Sequence, residues 1–382
     1  MKHGHFEPIN LLDKTLFRGL FEGLSLFRQQ SAGPYDLDSS GVLRILVIRP
    51  GGLGDLLLSL PFFRLLKETF PGAAIDLVCM KRSVNLAKIL NEELNFEKIL
   101  LIEKDSLNFL KRKYDLAFSL DQSKYQYLIP VIMGLLSARI KIGYDIGRRA
   151  RLCTHRVVYR HDEHEAQCSL NGLKFFDIDH RVTEDNLLLS CLPECRDIAT
   201  PIVDQYGLES GKFVACSFGG LNPQNKLPAK TLHELVEKLC TGFGFQLVML
   251  GSDVDSAEVE SLMPGFDGHI VNLCGKTSLK ESFGVLNHAG VFFGYDAGPL
   301  HMAVASGCKT VSIWGPSLFD KWAPQFSDRH SFVRKDLACQ PCLNGRFPIY
   351  QGCSFNRAGL LRLDADAIAN KICQALERPC CQ

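Results

Sequence analysis

Long apolar runs and an excess of charge of one sign are both missing from this sequence. Crossing a bilayer takes about 20 consecutive apolar residues, and the sequence contains no such stretch. The 43 Lys and Arg residues nearly balance the 42 Asp and Glu residues, so the formal net charge is +1, and composition gives no electrostatic reason to bind nucleic acid. Residues 1–10 are polar and lack the apolar segment of a signal peptide. We therefore expect a cytoplasmic protein with no nucleic-acid partner.

Cysteine is abundant, with 15 residues, but the spacing differs from that of a small secreted disulfide scaffold. Several of them, among them Cys79, Cys216 and Cys274, stand within apolar runs, where cysteine commonly packs as a small hydrophobe. Reduced thiols are expected for such a chain in the cytoplasm.

An extension over residues 1–40 carries apolar residues at helical spacing, namely Leu12, Leu16, Phe17, Leu20, Phe21, Leu24 and Phe27. Basic residues lie between them, and the stretch from Ser31 to Pro34 is predicted to end the helix. Two interpretations stay open. The amphipathic helix packs on its own protein, or it lies on a membrane surface.

Strand and helix patterns alternate in two successive parts of the chain. Leu43–Arg49 is a continuous apolar strand of the kind buried on both faces of a parallel sheet, and a helix is predicted over 55–70. After a mixed stretch containing two prolines, the pattern restarts at Phe213–Ser217 and continues to Thr310–Trp314. This alternation predicts an α/β protein with two Rossmann-like domains, 41–195 and 196–355, facing each other across a cleft.

The first glycine-rich turn, from Pro50 to Gly54, lacks the G-x-G-x-x-G spacing of a dinucleotide site. Asp55 follows it at once, and its carboxylate would repel a pyrophosphate. That carboxylate suits a general base in the cleft. It equally suits the N-cap of the helix that starts there. Spacing alone slightly favours the cap, and one residue can serve both purposes.

A second turn, from Gly294 to His301, follows another buried strand and opens a helix. Asp296 is a candidate N-cap. The first N–H groups of a helix attract anions, so a diphosphate is predicted to bind the N–H groups of Ala297, Gly298 and Leu300, whereas Pro299 has none. His301 lies in the first turn, where it either faces the cleft or serves the structure.

A third loop joins a strand end to a helix over 217–228 and contains Ser217, Gly219, Gly220 and Lys226. Backbone N–H groups and a lysine charge in such a loop suit phosphate recognition. Considered on its own, Lys226 would be interpreted as an ordinary surface residue.

Together these segments resemble the ADP-heptose:lipopolysaccharide heptosyltransferases of glycosyltransferase family 9. The resemblance lies in ILVIRPGGLGDLLLSLPFFRLLKETFPGAAIDLV (45–78), in NLCGKTSLKESFGVLNHAGVFFGYDAGPLHMAVASGCKTVSIWGPS (272–317), and in the shorter segments ARIKIGYD (138–145) and NKLP (225–228). It covers most of residues 42–355.

The resemblance implies a GT-B architecture, with the acceptor mainly on the first domain and the donor mainly on the second. It implies an inverting reaction without a catalytic metal, in which Asp55 is the base and Lys226 contacts the donor phosphate. Asp296 through His301 match the donor motif, and Gly52 and Gly54 belong to the acceptor side. The family commonly has Trp after the lysine, where this chain has Leu227.

The function implied is transfer of heptose, or a related sugar, from a nucleotide-diphosphate donor such as ADP-heptose to a lipopolysaccharide core or similar surface glycan. The reaction is expected at the cytosolic face of the inner membrane, with peripheral membrane contact and no cofactor beyond the donor. The alternatives are a transferase for another nucleotide sugar and a non-catalytic nucleotide-sugar-binding protein.

Two further features have open roles. A basic cluster suits a phosphorylated acceptor or is a solvated loop, and it comprises Arg148, Arg149, Arg151, His155 and Arg156. Cys339, Cys342 and Cys353 resemble the cysteine-bearing tail of some family members, but a metal site needs a fourth ligand, so we expect a disulfide or free thiols. The last segment, 356–382, is expected to hold a helix that packs back on the first domain, as in other GT-B folds.

Overall fold

The protein is built from two six-stranded sheets, one in each of two compact units. The computed structural model describes residues 16–26, 43–122, 127–146, 149–219, 226–266, 268–335, 337, 360 and 363–377. The first unit comprises 1–160 and 166–181, and the second comprises 161–165 and 182–382. The predicted domain boundary at 195/196 thus falls later than the change of unit at 181/182.

The strands of the first sheet are all parallel. In chain order they are β1 (Arg44–Ile48), β2 (Ala74–Cys79), β3 (Lys98–Leu101), β4 (Lys113–Ser119), β5 (Ser137–Tyr144) and β6 (His155–Val157). The helices of this unit are α1 (Arg18–Leu26), α2 (Leu53–Leu57), α3 (Leu60–Thr69), α4 (Val84–Leu94), α5 (Ser106–Leu110) and α6 (Leu128–Leu135), and α7 (Glu165–Leu170) begins at the unit boundary. Short 3₁₀ turns cover Lys81–Ser83, Arg149–Leu152 and Asn171–Phe176.

The second sheet is also parallel. Its strands are β7 (Val214–Ser217), β8 (Leu247–Met249), β9 (Ile270–Asn272), β10 (Val291–Tyr295), β11 (Thr310–Trp314) and β12 (His330–Arg334). The helices around it are α8 (Leu192–Gln205), α9 (Ala229–Glu237), α10 (Asp253–Leu262), α11 (Leu279–His288), α12 (Gly298–Ala305), α13 (Phe319–Trp322) and α14 (Ala365–Ala375). A 3₁₀ turn covers Asp185–Leu187, and a π turn covers Lys238–Gly242.

Both sheets have the same strand order. In the first it is β3-β2-β1-β4-β5-β6, and in the second it is β9-β8-β7-β10-β11-β12 when read from the β9 edge. This is the doubly wound order, in which the direction of strand addition reverses between the first and fourth strands and leaves a crevice at their carboxyl ends. The prediction of an α/β protein with two Rossmann-like units is confirmed.

Burial explains why the strands could be predicted from the sequence. Every residue of β10 and β11 is buried, as is each residue of β1 after Arg44. Helices cover both faces of a doubly wound sheet, so its strands read as continuous apolar runs. Among the described cysteines, Cys216 and Cys240 belong to the core of the second unit, where burial raises the pKa of the Cys240 thiol to about 12.

The N-terminal helix α1 packs on its own unit. Phe21 is buried in a small cluster with Val131 and Leu152, and its ring lies 5.7 Å from that of Tyr127. Leu16 and Leu20 on the same segment are exposed. The packed interpretation of this helix therefore holds for one of its faces. Among the described helices, none has the length and apolar character to cross a membrane.

The C-terminal helix α14 corrects the sequence prediction, which placed it on the first domain. Its apolar face, formed by Ile368, Ala369, Ile372 and Cys373, is fully buried in the core of the second unit. Asp364 caps the helix by accepting the N–H of Ala367 at 2.7 Å. The apolar stripe of this helix is therefore part of the core of the second unit.

A fully buried ion pair lies in the second unit near the unit boundary. The Nζ atom of Lys321 lies 3.2 Å from Oε2 of Glu165, and both side chains are at most 1% exposed. Burial, together with the charges of His301 and Lys321, lowers the pKa of the neighbouring His164 to about 3. That ring is therefore neutral at ordinary pH and adds no charge to the pair.

Lys321→Met is expected to destabilise the second unit by about 3–5 kcal/mol, because it leaves the Glu165 carboxylate buried without this counter-ion. The control is Lys280→Met, whose partner Glu194 is 55% exposed and whose loss should cost about 0–1 kcal/mol. Both Trp residues of the chain, Trp314 and Trp322, lie in this unit, so denaturant unfolding followed by Trp fluorescence measures the effect. Equal, small losses in both variants would contradict this expectation.

Candidate active site

Asp55 stands at the crevice of the first unit, in the first turn of the helix that follows β1. The predicted single helix over 55–70 is two helices, α2 and α3, and the N-cap of α2 is Gly52 rather than Asp55. Asp55 occupies the third helical position, and its Oδ2 accepts the N–H of Gly52 at 2.7 Å. Its carboxylate thus stabilises the helix start from inside the first turn.

Two side chains that the sequence did not single out contact the other oxygen of this carboxylate, Oδ1. Gln122 donates from Nε2 to Oδ1 of Asp55 at 2.9 Å. The guanidinium of Arg49 is fully buried and lies 3.8 Å from the same oxygen. Arg49 also donates to the backbone carbonyls of Asp55, at 3.0 Å, and of Leu120. The Asp55 side chain nevertheless stays 23% exposed, so it is held in position and remains partly open to a reactant.

The place of Gln122 follows a general rule for doubly wound sheets that could have been applied to the sequence. Gln122 comes just after β4, and β4 lies next to β1 in the sheet. Polar residues at the carboxyl ends of the strands on either side of the order reversal line the crevice. Gln122 belongs to no motif and lies 67 positions from Asp55 in the chain, so no local pattern indicates this contact.

The corresponding crevice of the second unit lies at the ends of β7 and β10. Ser217 is buried at the end of β7. Gly219 follows it and packs so closely against the carboxylate of Asp255 that a Cβ atom would overlap Oδ1. A larger residue at 219 would require the Asp255 side chain to shift. Gly220 and residues 221–225 lie outside the described residues.

The described part of the chain resumes at Lys226, beside this crevice. Its ammonium forms an ion pair with Glu258 of α10, and Glu258 is a second residue that the sequence did not indicate. The N–H of Leu227 donates to the buried phenol oxygen of Tyr295 at 3.1 Å. Tyr295 ends β10, and burial raises the pKa of its hydroxyl. The lysine is thereby anchored next to the turn that begins at Asp296.

The start of α12 agrees only in part with the predicted anion site. Ala297 is the N-cap, not Asp296, and it is extended. The N–H of Leu300 donates to the carbonyl of Ala297 at 3.0 Å, so it is engaged within the turn and is a poor candidate for phosphate. Ala297 and Gly298 remain partly exposed at the helix start. His301 is buried, which favours its structural interpretation.

The basic cluster of the first unit is described only in part. Arg148 and the side chain of Arg149 lie outside the described residues. The ring of His155 packs edge-on against Phe175, with centroids 4.9 Å apart, and burial lowers its pKa. His155 is therefore neutral at pH 7 and adds no positive charge. Cys339, Cys342 and Cys353 also lie outside the described part of the chain.

Comparison with known proteins agrees with this geometry. Residues 108–348 match the sequence profile of glycosyltransferase family 9 (heptosyltransferase), which is more than half of the chain. The chain belongs to glycosyltransferase family 9. It is 24% identical over 322 residues to lipooligosaccharide heptosyltransferase 2 of Campylobacter jejuni, covering 80% of this chain and 92% of that protein. The family resemblance read from the sequence is confirmed.

Solved structures of the family share the fold. The ADP-heptose lipopolysaccharide heptosyltransferase II of Escherichia coli superimposes with a TM-score of 0.67 at 19% identity, covering 88% of this chain and 99% of that one. The E. coli heptosyltransferase WaaC with ADP-2-deoxy-2-fluoro heptose gives a TM-score of 0.62 at 16% identity, covering 87% and 99%. The GT-B prediction is confirmed, and the family member described here is a glycosyltransferase.

Gly51→Ala should displace the Asp55 carboxylate and destabilise the first unit by about 1–3 kcal/mol. Gly51 has φ of +138°, and a Cβ there would lie 2.5 Å from Oδ2 of Asp55. The matched control is Gly52→Ala, where φ is −93° and a Cβ would lie 3.8 Å from that oxygen, and its cost should stay below about 1 kcal/mol. Scanning calorimetry measures both, and equal stabilities would show that the turn tolerates a side chain.

Proposed function

We propose that this enzyme transfers heptose from ADP-heptose to a lipopolysaccharide core or similar surface glycan, with inversion and without a catalytic metal. The observation that carries the proposal is the Asp55 carboxylate, which is fixed by Gly52, Gln122 and Arg49 yet stays partly open. The relatives named above are heptosyltransferases. One of them was solved with a fluorinated ADP-heptose, which supports the choice of donor.

The chemistry fits a single positioned base. An acceptor hydroxyl is a weak nucleophile, and a carboxylate that takes its proton as the new glycosidic bond forms lowers the barrier. A single displacement at the anomeric carbon inverts its configuration and requires no enzyme nucleophile, unlike the retaining hydrolases with two close carboxylates. The anomeric configuration of the product, read by NMR, tests inversion, and full activity after chelator treatment tests metal independence.

The second unit is assigned the donor. The leaving ADP gains negative charge as the bond breaks, and the ammonium of Lys226 together with the N–H groups of Ala297 and Gly298 would stabilise that charge. In the structure, Lys226 forms an ion pair with Glu258. The donor diphosphate would displace the Glu258 carboxylate from the Lys226 ammonium, since it carries more charge than that carboxylate.

The acceptor side is assigned to the first unit. Gly52 and Gly54 frame the turn that carries Asp55, and Arg148 and Arg149 would bind acceptor phosphates. Reversing both arginine charges should raise the acceptor KM and leave the donor KM unchanged. An unchanged acceptor KM would assign these arginines to a solvated loop.

The membrane contact is assigned to α1. Leu16 and Leu20 are 55% and 45% exposed beside the packed face of this helix, an arrangement that suits a helix in the membrane interface. Flotation with vesicles containing anionic lipid would detect binding to a lipid surface, which the proposal places at the cytosolic face of the inner membrane. Undiminished flotation of a Leu16→Ser, Leu20→Ser variant would remove α1 from the proposal.

Asp55→Asn should lower kcat by about 10²- to 10⁴-fold, the usual contribution of a general base. The amide oxygen can still accept the N–H of Gly52, so the variant should fold. The control is Asp105→Asn in the same unit, because Asp105 also accepts a backbone N–H, that of Leu101 at 2.8 Å. Transfer is measured as ADP release that depends on acceptor. Near-normal turnover of Asp55→Asn would exclude Asp55 as the base.

Lys226→Ala should lower kcat/KM for the donor by about 10- to 100-fold, because a charge-assisted hydrogen bond contributes about 1.5–3 kcal/mol. The control is Lys230→Ala, since that lysine is 88% exposed on the following helix and pairs only loosely with Glu234, at 3.8 Å. Equal kinetics for the two variants would place the diphosphate elsewhere.

A further inference from the structure

We propose that Gln122 is a positioning residue for Asp55, and that its side-chain amide holds the carboxylate in place at the crevice. The inference rests on the proposed function, in which Asp55 is the base. Gln122 contacts Asp55 and is not assigned any contact with substrate.

The position of Gln122 is set by the sheet. The N–H of Leu120 donates to the carbonyl of Ile48 at 3.0 Å, which extends the pairing of β4 with β1 beyond the last strand residue. The carbonyl of Leu120 accepts a hydrogen bond from Arg49. The backbone two residues before Gln122 is therefore fixed relative to the turn that carries Asp55, and the amide of Gln122 reaches Oδ1 at 2.9 Å.

The two oxygens of Asp55 have different tasks. Oδ2 accepts the N–H of Gly52 at 2.7 Å, and this bond belongs to the helix start. Oδ1 accepts the amide of Gln122 and faces the guanidinium of Arg49 at 3.8 Å. A carboxylate has about four lone-pair sites, so these bonds leave room for the acceptor hydroxyl. They also prevent rotation of the carboxylate about its Cβ–Cγ bond.

The amide is suited to this task because it is neutral at every working pH. A hydrogen bond to the ionised form of a carboxylate favours that form, so removal of the N–H group of Gln122 is expected to change the pH at which transfer is lost. A carboxylate at 122 would do the opposite, since two like charges sharing a site disfavour ionisation of one of them.

Two guanidinium groups also contact this turn, and their charge is opposite to that of a carboxylate. Arg49 lies beside Oδ1, and Arg82, on the 3₁₀ turn before α4, donates to the carbonyl of Gly51 at 2.9 Å. Both guanidinium groups stay charged. Asp121, which precedes Gln122 in the chain, is a buried carboxylate.

The test is the pH dependence of kcat/KM for the acceptor at saturating donor, measured for Gln122→Met, Gln122→Ala and Gln122→Glu. Loss of the N–H donor should move the acid limb of the profile to higher pH and lower the maximum by about tenfold, the value of one hydrogen bond to a charged group. Gln122→Glu should move the acid limb further in the same direction. The donor KM should not change.

The control is Gln167→Ala in the same unit, where the amide donates to the carbonyl of His180 at 2.8 Å. This variant loses a comparable hydrogen bond away from Asp55 and should keep the wild-type profile. Gln122→Met preserves the length of the side chain, so it reports on the missing N–H group even where Gln122→Ala disturbs the fold.

A wild-type acid limb in folded Gln122→Met and Gln122→Glu would overturn the inference, as would a loss that is equal at all pH values. Failure of the proposed function looks different. In that case Asp55→Asn keeps its turnover, whatever the Gln122 variants do. Inactive Asp55→Asn with unshifted Gln122 variants would reject this inference alone.

Discussion

The reversal of strand order between the first and fourth strands is the constraint on which both candidate sites depend. At that point the connections of a doubly wound sheet leave toward opposite faces, so the carboxyl ends of two neighbouring strands are left uncovered. In the first unit these are the ends of β1 and β4, and Asp55 and Gln122 meet there. In the second they are the ends of β7 and β10, where Leu227 is tied to Tyr295. The same topology therefore places a carboxylate in one unit and a lysine in the other.

The carboxylate of Asp55 shows how a side chain is oriented by its neighbours. Hydrogen bonds from Gly52 and Gln122, with the buried charge of Arg49, fix its position. A base held within reach of a hydroxyl gains from this orientation, because orientation contributes several kcal/mol to a bimolecular step. The helix cap and the base are consequently one arrangement, since the cap supplies part of the orientation.

The features that could be predicted from the sequence are those that show in a short local pattern. Continuous apolar strands, glycine turns and helix starts are visible over a few residues, and they located both sheets and both crevices. The contacts that the sequence did not predict join residues that are far apart in the chain. Gln122 lies 67 positions from Asp55, and Glu258 lies 32 positions from Lys226. The packing of α14 was also misjudged, because an apolar stripe such as Ile368 and Ile372 specifies that a helix is buried but not which sheet it covers.

The ion pair between Lys226 and Glu258 bears on how the donor would bind. A lysine free in solvent loses side-chain entropy when a ligand fixes it, at most about 2 kcal/mol. Here Glu258 already holds the ammonium, and the hydrogen bond from Leu227 to Tyr295 already holds the backbone beside it. The donor diphosphate would then exchange one anion for another, without ordering a mobile side chain. Charge that grows on the leaving diphosphate would meet an ammonium already in place, and such prior order is what allows a fixed charge to stabilise a transition state more than a ground state.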